Sequence, residues 1–135
     1  MPKPERVVLD SYALLAFLFQ EEGCREVLHL FERAVDTGTR HLITSVNWAE
    51  VRYIIARRLS PARWVEVNEE LTGLPLEIVT ADKDLAESAG EIKATGGMSL
   101  ADCFAAALAR KYKLPLCTGD PEFRSVQSEI QILWL

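Results

Sequence analysis

The sequence predicts an α/β fold, a three-layer arrangement with a central parallel sheet of about five strands and helices on both faces. Three observations predict it. Short apolar runs rich in β-branched residues alternate along the chain with segments of helical apolar spacing. Strands joined through helical segments pair in parallel, because the crossover returns each strand in the same direction. At 135 residues, with no linker, repeat or low-complexity stretch, the chain reads as a single domain over residues 1–135, long enough to bury roughly two-thirds of its unfolded surface.

Each element has its own local warrant. Arg6-Val7-Val8-Leu9 reads as a strand that stops at Asp10-Ser11, two helix-capping residues, and the apolar run Tyr12 to Gln20 continues as a helix. Val27, Leu28, Leu30, Phe31, Ala34 and Val35 recur at helical spacing between Gly23 and Asp36, with Gly38 as a stop signal. His41 to Thr44 is the second strand. From Ser45 the helical period returns through Val51, Ile54, Ile55 and Leu59, and Ser60-Pro61 closes that helix and opens another to about Thr72-Gly73. Leu76 to Val79 is a strand, Ala81 to Thr95 a helix closed by Gly96-Gly97, and Ser99 to Tyr112 a further helix. Leu114 to Cys117 and Glu129 to Leu133 complete the strands.

Composition excludes several classes. The longest apolar run, Tyr12 to Phe19, has eight residues, against the roughly 18 to 20 that a membrane span needs. It ends at Gln20-Glu21-Glu22, which suits neither the core nor the cleavage site of a signal peptide. Cys24, Cys103 and Cys117 are odd in number, far apart and set in apolar stretches, the pattern of reduced core residues in a cytoplasmic protein. A formal net charge of −5 argues against coating nucleic acid through bulk charge. There is no phosphate loop of the G-x-x-x-x-G-K type, and His29 and His41 without a close cysteine pair make a poor zinc set.

Four carboxylates carry the functional signal: Asp10, Glu50, Asp102 and Asp120. Each also has a plain structural reading. Asp10 caps the helix after the first strand, Ser99 and Asp102 form a variant of the capping box, Asp120 precedes Pro121 as an N-cap, and Glu50 lies in the opening turns of its helix. Together they weigh differently, because all four map to the carboxyl ends of the strands, where open parallel sheets bind ligands. Two bare carboxylates about 4 Å apart repel by roughly 4 kcal/mol at an effective dielectric near 20, so a group of them calls for protons or a cation. Oxygen-only ligands favour Mg or Mn. In the helix carrying Asp102, Leu100, Cys103, Phe104, Ala107 and Leu108 share one stripe, and Asp102, Ala105, Ala106 and Ala109 lie opposite. Small residues there suggest a helix buried on both sides, with Asp102 at its mouth.

Four segments resemble, in order, the motifs of PIN-domain ribonucleases: Val8-Leu9-Asp10-Ser11 with Ala13 to Ala16; Ser45 to Val51 with Glu50; Leu100-Ala101-Asp102-Cys103 through Ala109; and Leu116-Cys117-Thr118-Gly119-Asp120-Pro121-Glu122-Phe123. The size and terminal strand look most like VapC toxins of bacterial and archaeal toxin-antitoxin pairs. The resemblance implies a sheet ordered 3-2-1-4-5 and an Mg- or Mn-dependent endoribonuclease. By motif position Asp10, Glu50, Asp102 and Asp120 would be catalytic, with Asp10, Asp102 and Asp120 on the metal and Ser11 and Thr118 as supporting hydroxyls. It also implies a VapB-like antitoxin as partner and a two-fold dimer or higher even oligomer. Glu122 departs from the family pattern, where many relatives have Asp, and this reading leaves it outside the core site.

Substrate contacts must come from elsewhere, since acids repel phosphate. Residues 51–65 hold Arg52, Arg57, Arg58 and Arg63 and no acid, with Tyr53 and Trp64 interleaved, a composition suited to an RNA backbone and an unstacked base or, equally, to a solvated helix face. The same hairpin, residues 46–72, is expected to expose Trp48, Tyr53, Ile55 and Trp64 beyond what one stripe can bury. A non-catalytic RNA-binding relative would normally lack one of the acids; all are present. A phospho-acceptor receiver needs paired acids after its first strand, where Ser11 follows Asp10, and a dehalogenase-type phosphatase needs Asp-x-Asp, where Tyr12 takes the second position. A housekeeping nuclease without an antitoxin remains the other reading.

Overall fold

A computed structural model describes residues 5–135. Five parallel strands, β1 (Val8–Leu9), β2 (His41–Thr44), β3 (Leu76–Val79), β4 (Leu116–Thr118) and β5 (Ile132–Trp134), lie in the order β3-β2-β1-β4-β5. Six helices connect them: α1 (Ser11–Leu18), α2 (Cys24–Thr37), α3 (Ser45–Arg58), α4 (Arg63–Thr72), α5 (Lys83–Thr95) and α6 (Leu100–Tyr112), and a 3-10 helix spans Pro121–Val126. The sequence reading holds for the class, the strand order and the presence of every strand. Boundaries shift at the ends: β1 is shorter than Arg6 to Leu9, and α1 stops at Leu18 because Gln20 turns left-handed at φ 53°. The last strand begins at Ile132 rather than Glu129, the stretch before it being a turn and bend that follow the 3-10 helix.

Alternation along the strands builds two cores. Val8, Leu42 and Leu116 point to one face, where they meet α5, α6 and the 3-10 helix through Leu85, Ala89, Leu108 and Phe123. Leu9, Ile43 and Cys117 point to the other, against α1 to α4 through Leu14, Phe31, Val51 and Leu71. Period-two side chains on a sheet covered twice give this three-layer result. Helix α6 is buried on both sides, as its small face suggests: Cys103 and Ala105 to Ala109 are all buried, while Leu100 at its start is exposed, outside the expected stripe.

His41 ties the layers together from the buried start of β2. Its Nδ1 accepts the Val7 N–H at 3.1 Å and its Nε2 lies 2.7 Å from the Leu30 carbonyl. That pair of partners requires a neutral ring donating from Nε2, and burial lowers its pKa accordingly.

The hairpin of α3 and α4 differs from expectation. Ile55 and Trp64 are buried, not exposed, because α4 folds back over α3 and sets the Trp64 ring edge-on to Trp48 with centroids 5.6 Å apart. Tyr53 is exposed as expected, and Trp48 is partly covered. Among the described residues no helix is long and apolar enough to cross a membrane.

Candidate metal centre at the acidic edge of the sheet

β1 and β4 are neighbours, with Leu9 beside Cys117, so the residues that follow each strand emerge side by side at the carboxyl edge. This is also where the strand order reverses, the usual ligand crevice of an open parallel sheet. Asp10 caps α1 by accepting the Ala13 N–H on Oδ1 at 2.9 Å, and its Oδ2 accepts the Thr118 hydroxyl at 2.5 Å. The Thr118 oxygen in turn accepts the Asp120 N–H at 3.0 Å, and Asp120 Oδ1 accepts the Glu122 N–H at 2.9 Å. One run of bonds thus links the ends of the two central strands. Both Asp10 oxygens keep a second acceptor position.

Asp102 reaches the same edge from α6, whose first turn Ser99 caps by accepting the Asp102 N–H at 3.2 Å. Glu50 approaches from α3, held by the Ser11 hydroxyl, which donates to its Oε1 at 2.6 Å. The caps expected from Asp10, Ser99 and Asp120 are therefore all made, and none excludes a site: the caps are what aim the carboxylates. Carboxylate oxygens of Asp102, Asp120 and Glu122 lie within 4.8 Å of one another. Glu122 belongs to the cluster although the sequence reading leaves it out. The signal was available in Asp120-Pro121-Glu122, since a tight turn after a capping aspartate puts the second residue back beside the cap.

The sequence reading also lacks Asn47, which is fully buried. The Thr44 hydroxyl donates to its Oδ1 at 2.5 Å, and its Nδ2 donates to the Ala101 carbonyl at 3.3 Å. Asn47 therefore fastens the start of α3, which carries Glu50, to the start of α6, which carries Asp102. Nothing but its polar character in an apolar helix pointed there.

The electrostatics are those of crowded, half-dry acids. Burial, with smaller contributions from Asp102 and Asp120, raises the Asp10 pKa to about 7 against the opposing bonds from Thr118 and Ala13. Asp102 is raised to about 6 by burial and then by Asp120, Glu50 and Glu122, against its bond with Ser99. The tight trio leaves Asp10 out while the charge coupling includes it. Asp10 lies outside the trio but close enough to feel the charges of Asp102 and Asp120.

A hard divalent cation fits this donor set. It consists of carboxylate oxygens from four chain segments, with hydroxyls but no nitrogen or sulfur ligand. Asp102, Asp120 and Glu122 could hold an ion directly, and Asp10 and Glu50 could serve it directly or through water.

Arg52 stands two residues after Glu50 in α3, and Arg58 lines a cavity with Tyr12, Leu15 and Ala16 of α1. At 1.5 Å rise per residue, Arg57 and Arg58 lie about 10 to 12 Å along α3 from Glu50. Each has a local partner: Arg52 stacks 5.4 Å from the Trp64 centroid and Arg57 4.9 Å from that of Tyr53. Arg58 covers Phe19 and pairs with Glu21 at 3.4 Å, and Arg63 pairs with Glu66 at 3.0 Å. Such exposed pairs contribute little to stability and are easily exchanged.

A family model described as PIN domain matches residues 7–129. No curated protein matches the chain. Among solved structures, the chain is similar to a DNA-bound VapBC from Salmonella typhimurium at 24% identity and TM-score 0.73, over 95% of this chain and 96% of that one. It is similar to VapBC2 from Rickettsia felis, bound to a promoter DNA fragment, at 14% identity and TM-score 0.73, covering 96% and 98%. A third is VapC20 from Mycobacterium tuberculosis, a toxin that cleaves the sarcin-ricin loop, at 15% identity and TM-score 0.71, covering 89% and 94%. At these identities the likeness is one of fold.

Proposed function

Since the chain belongs to the PIN-domain family, we propose that residues 1–135, of which 1–4 lie outside the described residues, form a single metal-dependent endoribonuclease, the toxin of a VapBC-type pair. The observation that carries the reading is the trio of oxygens from Asp102, Asp120 and Glu122 within 4.8 Å, backed by Asp10. A bound Mg or Mn ion would supply Lewis acidity, making water a better nucleophile and offsetting charge on the scissile phosphate. The chain's own part is positioning. Thr118 and the Ala13 N–H hold the Asp10 carboxylate still, Ser11 holds Glu50, and Asn47 fixes the spacing between the helices bearing Glu50 and Asp102. Glu50, held by one hydroxyl, is free to accept a proton from the attacking water or to steady it. No nucleophilic side chain is required. Four intact acids favour an enzyme over a non-catalytic RNA-binding module.

The experiment is direct. Purified protein should cut RNA in Mg or Mn and stop on addition of chelator, and expression without a VapB-like partner should arrest growth. Chelator-resistant cutting would remove the metal from the reading. Harmless high-level expression of an active nuclease would replace the toxin with a housekeeping enzyme.

A homodimer in the cytoplasm is part of the same proposal. The α3–α4 hairpin supports it with exposed Tyr53 under the stacked Arg57, and with Trp48, partly covered, packed on Trp64. Light scattering should give about twice the 15.1 kDa chain mass, and Tyr53→Glu should shift the protein toward monomer. An unchanged mass for that variant would move the interface elsewhere.

A further inference from the structure

We propose that Tyr12 is the platform on which a nucleobase of the RNA stacks beside the scissile phosphate, an inference that rests on the ribonuclease reading above. Tyr12 stands in the first turn of α1, two residues after Asp10, and is 44% exposed in a helix whose next four residues are buried. Gly119 makes room for its ring. A Cβ at residue 119 would come within 2.3 Å of Tyr12 Cε1, 2.7 Å of Cζ and 2.9 Å of the hydroxyl. Gly119 is not among the glycines with positive φ, so its backbone conformation does not demand glycine. Room for the ring does. Tyr12 therefore lies on the bare backbone between Thr118 and Asp120, both part of the acidic edge, with one side packed and the rest open to solvent.

Charge makes this contact useful. The acidic edge repels phosphate, and a neutral contact adds affinity close to the reacting bond without adding to that repulsion. The face of a base on a pre-placed ring supplies one at little entropic cost, and does so for any base. Tyr12 also borders a cavity of about 330 Å³ shared with Leu15, Ala16, Glu21, Glu22 and Arg58, which gives a base splayed off the strand a place to lie.

The test is steady-state cleavage of single-stranded RNA in Mn by wild type, Tyr12→Phe and Tyr12→Ala, with the Mn-induced rise in melting temperature followed for each. Tyr12→Ala should raise KM at least about fivefold, the low end of what removing a stacking aromatic costs, while Tyr12→Phe stays at the wild-type value and all three respond alike to Mn. An RNA abasic at the sensitive nucleotide should erase the difference between wild type and Tyr12→Ala. Equal KM for wild type and Tyr12→Ala overturns the stacking role and leaves the ribonuclease standing. A Tyr12→Phe variant as weak as Tyr12→Ala overturns stacking in favour of a hydroxyl contact. Wild type that cuts no RNA overturns the ribonuclease reading, and this inference with it.

Discussion

Asp10→Asn and Asp102→Asn should each lower RNA cleavage in Mn by at least about a hundredfold, equivalent to roughly 2.7 kcal/mol of barrier. The substitutions are nearly isosteric, so the loss isolates charge. At position 10 the amide oxygen can still accept the Ala13 N–H, and the Thr118 hydroxyl, now 2.5 Å from the other branch, can turn to accept from an amide. At position 102 the cap is made by the backbone N–H to Ser99 and does not need the carboxylate. Both variants should therefore fold. Glu122→Gln should lose activity as well, because its carboxylate is within 4.8 Å of the other two. Cutting undiminished in both aspartate variants, at equal melting temperature, would mean that the acids are helix caps and no more.

Metal-free protein should lose stability as pH rises from about 4 to about 7, and Mn should restore it. The sign follows from proton binding. Asp10 and Asp102 have folded pKa values near 7 and 6 against 3.8 for the free group, so between those limits the folded state holds more protons than the unfolded one. Stability then falls with rising pH. At 1.36 kcal/mol per pKa unit, Asp10 alone accounts for a cost on the order of 4 kcal/mol at neutral pH. His41 acts in the opposite sense. Its lowered pKa means that the unfolded state takes up a proton first as pH drops below about 6.5, which weakens the fold on the acid side. The difference between wild type and Asp10→Asn cancels the His41 contribution. That difference, measured by denaturant melts without metal, should grow in favour of Asp10→Asn from pH 4 to 7. Asp120→Asn should stabilise the metal-free protein too, by removing a repulsive neighbour of both groups. Added Mn should reverse the order by binding the folded wild type. A pH-independent difference, or a melt indifferent to millimolar Mn, would show that the acids do not share one field.

Much of this arrangement is legible in the residues. β2 and β3 fall within the predicted bounds because each is a short β-branched run between clear stops. The acids at strand ends are visible for the same reason that caps are: Asp and Ser before an apolar run mark a helix start. The order of the strands is another matter. It came with the resemblance and not from periodicity, since alternation along each strand does not say which neighbour it pairs with. Glu122 stands outside the sequence reading because many relatives have Asp at that position, yet the 3-10 helix after Asp120 brings its longer side chain to the cluster all the same. Ile55 and Trp64 escaped because a stripe counted on one helix takes no account of the helix that folds over it. Asn47 had no sequence signal beyond being polar where its neighbours are not.

The bond between Thr118 and Asp10 spans 108 positions of chain, and its consequence is one of timing. The central strand β1 is made before the other four, and one of its two partners, β4, follows more than a hundred residues later. At about 5 to 20 residues per second, several seconds separate the appearance of Asp10 from that of Asp120. Throughout that interval the carboxylates belong to a chain whose central strand lacks its partner on one side. A nascent or truncated product ending before residue 116 carries the first three acids without the Thr118 hydroxyl that holds Asp10 and without the carboxylates of Asp120 and Glu122. The long-range pairing that slows folding is the same pairing that completes the acidic edge.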